Sequence, residues 1–345
     1  MRAKSFVMKR VWALLGVMLT CCVSTVAQTR QISFHCASLD EGRQLIDSRA
    51  DYYAGLSRND LEWRMRKTDA TLDEFKAYAK EQVQEFTQDE KNVLQQAVDS
   101  AEKHLARIGC RLPFPADIAL VKTTMSEEGG AGGYTNGSVI YLGSDVLKYV
   151  VNCNKKDADE RTKWVGNMSL ESLLLHEMFH CLTRANSDFR SSMYNLIGFS
   201  ILDHDIDFPA EVKQQILTNP DVEHMDNYIE VTIDGEKRKC ELVVRFVKTW
   251  ADAAAVDGNN ATFFNNIETV LVPLDDLTKA YPVNDMAEFW EKVGRNTAYV
   301  VAPEECLADN FSLAVIAYGE KNAKFHSPEL TEGLVSLLKV KYGNQ

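Results

Sequence analysis

The 345-residue chain holds no CxxC pair, no GxxxxGK[ST] loop, no internal repeat and no long low-complexity linker. The first absence leaves thiolate-bound zinc without a motif, and the second removes a phosphate cradle. The last two favour one compact unit over an array of modules. Basic residues are also few: 38 Lys and Arg stand against 50 Asp and Glu, for a formal net charge of −12. No stripe of Lys and Arg with interleaved aromatics offsets that balance, so no nucleic-acid partner is expected. Long apolar runs are missing except near the start. There Arg2, Lys4, Lys9 and Arg10 precede the apolar stretch 11–19, and Thr25-Val26-Ala27 offers small residues for cleavage. This is the pattern of a secretory signal peptide over 1–27, cut after Ala27, and not of a membrane span, so a secreted or periplasmic mature chain without a span is expected. Cys21 and Cys22 lack the small residue expected before a lipidated cysteine, which makes lipoprotein anchoring a weak reading. Losing residues 1–27 removes four basic and no acidic side chains and takes the formal charge from −12 to −16. Cys36, Cys110, Cys153, Cys181, Cys240 and Cys306 remain. Export permits disulfides among them, but their wide spacing selects no pairing.

What is present is patterned for an α+β fold. From residue 28 to Gly109 the periodicity is helical, and two capping boxes, Thr71-Leu72-Asp73-Glu74 and Thr87-Gln88-Asp89-Glu90, each open a charged amphipathic helix. The second is expected to run to Ile108 and stop at Gly109. Residues 28–112 thus read as a helical N-terminal region, a scaffold or pro-region, before a catalytic domain over 113–345 whose two subdomains divide after about 186. Pro113 and Pro115 break the helical pattern, residues 118–123 read as a strand, and the glycine-rich stretch 127–137 as a flexible hairpin. Residues 138–142 follow as an apolar strand, placed to offer an edge to an extended peptide through main-chain hydrogen bonds. Further on, helices are expected over 190–201, 209–217, 286–293 and 328–342, with a turn at 218–221. A hairpin of strands 228–233 and 240–247 is expected to close through a loop longer than two residues at Asp234-Gly235.

The chemistry concentrates in Glu171-Ser-Leu-Leu-Leu-His-Glu-Met-Phe-His-Cys-Leu-Thr-Arg-Ala-Asn186, which contains HExxH at His176, Glu177 and His180. Four residues apart on a helix, the two imidazoles point to one place, while Glu177 lies about 100° round the axis. Leu170, Leu173, Leu174 and Leu175 give the flank helical character, and Ser169 is a plausible N-cap. Two neutral imidazoles and a third protein ligand hold Zn²⁺ with one position left open, and a neighbouring carboxylate serves as general base. The competing reading is a buried helix whose histidines find ordinary hydrogen-bond partners.

A third ligand must come from elsewhere in the chain. Thr183 and Asn186 stand where a metzincin needs Gly and His, which excludes that pattern. His204, His224 and His326 are lone histidines in loop-like settings. Pro303-Glu-Glu-Cys-Leu-Ala-Asp309 is the stronger candidate: Pro303 opens a helix, and Glu305 and Asp309 then share one face. Glu305 is the expected third ligand and Asp309 the carboxylate that orients a ligating histidine, with Glu304 as the rival ligand.

The set His176, Glu177, His180, Glu305, Ala308 and Asp309, HExxH followed far downstream by ExxxD, resembles the gluzincin zinc metallopeptidases, in particular secreted bacterial members and, more distantly, thermolysin-like and lethal-factor-like enzymes. The likeness covers motifs within about residues 118–320. It implies a zincin-like fold with a mixed sheet over the HExxH helix, one Zn²⁺ per chain, a protein or peptide substrate, and endopeptidase action. It also implies a group that stabilises the oxyanion, for which Tyr299 is the first candidate, ahead of Tyr228 and His224. The interval of 125 from His180 to Glu305 exceeds that of compact members and requires inserted elements. The alternative function is a catalytically silent zincin fold used for binding or structure.

Overall fold

A computed structural model describes residues 30–343; the expected signal peptide lies outside the described residues. The N-terminal half runs β1 (Phe34–Cys36), α1 (Leu39–Asp47), α2 (Ala50–Gly55), α3 (Arg58–Met65), α4 (Leu72–Gln82), β2 (Val83–Gln84), α5 (Gln88–Ile108), β3 (Ile118–Thr123), β4 (Gly133–Asn136), β5 (Val139–Gly143), α6 (Ser144–Cys153) and α7 (Glu160–Ala185). The remainder is α8 (Ser187–Leu196), β6 (Phe199–Ile201), α9 (Ala210–Lys213), β7 (Asn227–Ile233), β8 (Glu236–Phe246), α10 (Trp250–Asp257), β9 (Ile267–Pro273), β10 (Tyr281–Pro282), α11 (Ala287–Val293), α12 (Pro303–Ala317) and α13 (Pro328–Tyr342). The molecule is therefore α+β, as expected.

Its first sheet is mixed, in the order β1-β3-β5-β4, with β2 also pairing with β3. β1 and β5 each run parallel to β3, while β2 is antiparallel to β3 and β4 is antiparallel to β5. The second sheet, β10-β9-β8-β7-β6, is antiparallel throughout. α7 lies among α5, α6 and α12, and their apolar faces join Ile118, Leu120, Ile140 and Leu142 of the first sheet in the largest core cluster.

Local chemistry explains the ends of several helices. Both sequence capping boxes form, Thr71 with Glu74 and Thr87 with Glu90, and α5 stops at Gly109 in the left-handed conformation, φ 80°. α7 begins at Glu160, ten residues before the start expected at Leu170: Asp159, not Ser169, is the N-cap and accepts from Thr162 N–H at 2.8 Å. Gly166 sits inside that helix because a Cβ there would stand 2.5 Å from Cys153 Cβ, so α6 and α7 pack at backbone distance.

Several expectations need correction. The described residues up to 112 are not a separate helical region, since β1 and β2 pair with β3, and residues 31–343 form one compact unit with no division at 112 or 186. The edge strand beside α7 is β4, within the glycine-rich stretch; the apolar strand expected to be the edge is β5, which lies between β3 and β4. Residues 190–201 split into the end of α8 and β6, and 209–217 holds only the short α9. The loop at Asp234-Gly235 is two residues long, because Ile233 pairs with Glu236 and both loop residues adopt positive φ, 54° and 85°. The six described cysteines, Cys36 to Cys306, are all unpaired. No helix among the described residues is long and apolar enough to cross a membrane.

Candidate metal centre

α7 and α12 pack together and bring His176, Glu177 and His180 against Glu304, Glu305 and Asp309. Glu305 Oε2 lies 2.9 Å from His176 Nε2 and 3.6 Å from His180 Nε2. The three side chains offer ligand atoms that all fall within 4.8 Å of one another. Each imidazole is backed on its other nitrogen by a carboxylate: His176 Nδ1 stands 2.8 Å from Asp309 Oδ1, and His180 Nδ1 stands 3.3 Å from Glu304 Oε1. A proton held at Nδ1 in this way leaves Nε2 as the ligand atom. Glu304 is itself fixed by hydroxyls from Thr183 and Tyr194, the latter at 2.7 Å. It thus supports a ligand rather than competing with Glu305.

The donor set fits a cation. His180 is fully buried, yet its Nε2 has no hydrogen-bond partner; the nearest acceptors are Glu305 Oε2 at 3.6 Å and Asp221 Oδ1 at 3.9 Å. A buried polar atom is rarely left so, and two imidazole nitrogens with one carboxylate oxygen match the protein share of a catalytic zinc site. The electrostatics agree. Burial works against the His176 imidazolium, but hydrogen bonds to Asp309 and Glu305 outweigh it and hold the ring well above its usual range. Burial opposes His180 in the same way, and Asp221, Glu304 and Glu305 lift it to about 10. Glu305 is held far below the usual carboxylate range, because the two histidines overcome its burial. A dication can take the place of those imidazole protons.

Glu177 is buried beside the same point. Its Oε2 accepts from Thr135 Oγ1 at 2.7 Å, and Gly133 of β4 leaves room for it, since a Cβ there would lie 2.8 Å from Oε1. Burial raises the Glu177 carboxyl, against the lowering effect of His176 and His180. Tyr299 reaches over the site with its ring 6.3 Å from that of His176, and the Glu305 carboxylate, then burial, pushes its phenol far up. All six expected site residues, His176, Glu177, His180, Tyr299, Glu305 and Asp309, therefore come together. The rivals do not: His204 and His326 are exposed, and Tyr228 lies on β7 under Lys239. His224 meets Asp205 and Asp226, but Asp226 is already gripped by both terminal nitrogens of Arg190.

The turn at 218–221 was expected from the sequence, but the part its side chains play in the site was not. Asn219 Nδ2 donates to Glu305 Oε1 at 2.6 Å, and the buried Asp221 accepts from Thr135 N–H at 2.6 Å. Neither residue stands at a fixed interval from HExxH, so no spacing could have found them. Glu304 did carry a signal, because it adjoins the ligand in the first turn of α12. No protein-family model, curated protein or solved structure matches the chain.

Proposed function

We propose that this protein is a zinc-dependent peptidase of zincin-like architecture that acts after export. The observation that carries the reading is the convergence of His176 Nε2, His180 Nε2 and Glu305 Oε2, with a carboxylate behind each imidazole and Glu177 held alongside. The mixed sheet with antiparallel β4 against α7 supports the architecture. His176, His180 and Glu305 hold the metal, while Asp309 and Glu304 keep the imidazoles in the ligating tautomer. Zinc, when bound, makes a water nucleophilic near neutral pH and polarises a carbonyl. Glu177 takes that water's proton and delivers it to the leaving amine; its raised basicity suits it to both transfers. The Tyr299 hydroxyl donates to the oxyanion as it forms, which its strongly raised affinity for its own proton permits.

A silent metal site has no use for a buried carboxylate placed like Glu177, with its own hydroxyl donor at 2.7 Å. The test is Glu177→Gln. The variant should keep its zinc and lose hydrolysis of a peptide mixture by about 10²- to 10⁴-fold. Undiminished hydrolysis would show that Glu177 is not the base and that the mechanism is wrong.

A further inference from the structure

The Proposed function leaves open which peptides the site accepts, and the inference drawn here rests on that reading. An extended substrate would pair with the free edge of β4, where the alternation of an antiparallel strand turns the N–H groups of Gly133 and Thr135 the same way. Part of that edge is already taken. Thr135 N–H donates to Asp221 Oδ1 at 2.6 Å and Gly137 N–H to Glu223 Oε1 at 3.3 Å, so side chains of the 218–223 segment run where a substrate's backbone would continue. At the other end Gly130 and Gly132 are exposed, and the approach to Gly133 is open. The cleft thus has one open end and one wall.

The wall is built in. Thr218 donates through N and Oγ1 to Asp60 at 3.0 and 2.9 Å, and its carbonyl accepts from Arg64 at 2.6 Å. Arg184 donates to the Pro220 carbonyl at 2.9 Å, and Asn219 braces the ligand Glu305 at 2.6 Å. Withdrawing this segment would loosen the metal site itself, which argues for a permanent end to the cleft over a removable plug.

The charge of the wall selects which end of a peptide fits. Asp221 is buried; burial, then the Glu305 carboxylate, raises its carboxyl well above the usual range, and Arg184, which works against that rise, is itself paired with Glu223 at 3.0 Å, so Asp221 has no counter-charge of its own. Around a dication, the carboxylates of Glu177, Asp221, Glu304, Glu305 and Asp309 leave negative charge in excess. An α-ammonium group neutralises it, whereas a terminal carboxylate is repelled. We propose that the enzyme is an aminopeptidase: the substrate enters with its free amino terminus against Asp221, and the first peptide bond lies at the metal.

The zinc-loaded protein should be offered three probes: amino-acid amides of a fluorogenic coumarin, the same compounds N-acetylated, and internally quenched peptides blocked at both ends. Release from the free-amino compounds, with acetylation lowering kcat/KM on the order of 100-fold or more, is expected. Asp221→Asn should raise KM for the free-amino compounds at least about 10-fold at unchanged zinc content, and should shrink the penalty for acetylation. Cleavage of blocked peptides at internal bonds, or release of carboxy-terminal residues, would overturn the aminopeptidase assignment and leave the peptidase reading standing. Hydrolysis of none of the probes or of a wider peptide mixture would remove both.

Discussion

Gly133 and Glu304 are the two residues whose roles can be separated most cleanly from those of the ligands. A methyl at 133 would meet Glu177 Oε1 at 2.8 Å and the Tyr141 carbonyl at 3.1 Å, so Gly133→Ala should push the base aside without touching the metal. The expected result is a loss of kcat of about 10- to 100-fold with zinc content unchanged; an unaltered kcat would mean that Glu177 need not sit where β4 places it. Glu304→Gln removes the charge behind His180, and zinc affinity, read by competition with a chromogenic chelator, should fall about 10- to 100-fold. Unchanged affinity would contradict the role given to Glu304. At this scale the sequence was informative where helical spacing fixes geometry: His176, Glu177, His180, Glu305 and Asp309 all lie on two helices at intervals of one to four. Thr135, Asn219 and Asp221 come from a strand and a turn, where intervals carry no such constraint, and only tertiary packing brings them in.

Among the elements, β8 carries an unusual cost. Glu241 is buried, with Oε1 accepting from Asn227 at 3.1 Å and Oε2 without a partner. Burial, then the neighbouring Asp226 carboxylate, raises its carboxyl well above the usual range. A carboxyl whose affinity for its proton is higher folded than unfolded contributes stability that is full below its unfolded value and lost as pH rises through its folded value. Glu241→Gln keeps an acceptor for Asn227 and removes the buried charge. It should raise stability by about 1 kcal/mol or more at pH 8, with the difference from the native chain closing as pH falls. Thermal unfolding across that range checks it, and a variant less stable at pH 8 would contradict it. Helix ends were well read from side-chain caps, as Thr71, Thr87 and Gly109 show. β4 was hidden because its glycine, Gly133, which lets the strand approach Glu177 closely, sits in a glycine-rich stretch that looks like loop. β1 was missed for a different reason: three residues surrounded by helical periodicity are too few to show their own.

For the whole molecule, the consequential finding is that residues 31–112 are woven into the body that holds the site. β1 and β2 extend the first sheet, α5 packs on α7, and Asp60 and Arg64 of α3 fix the turn that carries Asn219 and Asp221. A chain beginning at residue 113 should therefore lack cooperative unfolding and near-ultraviolet dichroism; a folded, zinc-binding product would show that the N-terminal part is dispensable. The central claim is that one metal ion sits between α7 and α12, and it is tested most directly by zinc content per chain after dialysis against a mild chelator, in the native protein and in Glu305→Ala. One zinc in the native chain and little in the variant is the predicted result. Folded native protein that retains no zinc would contradict the account.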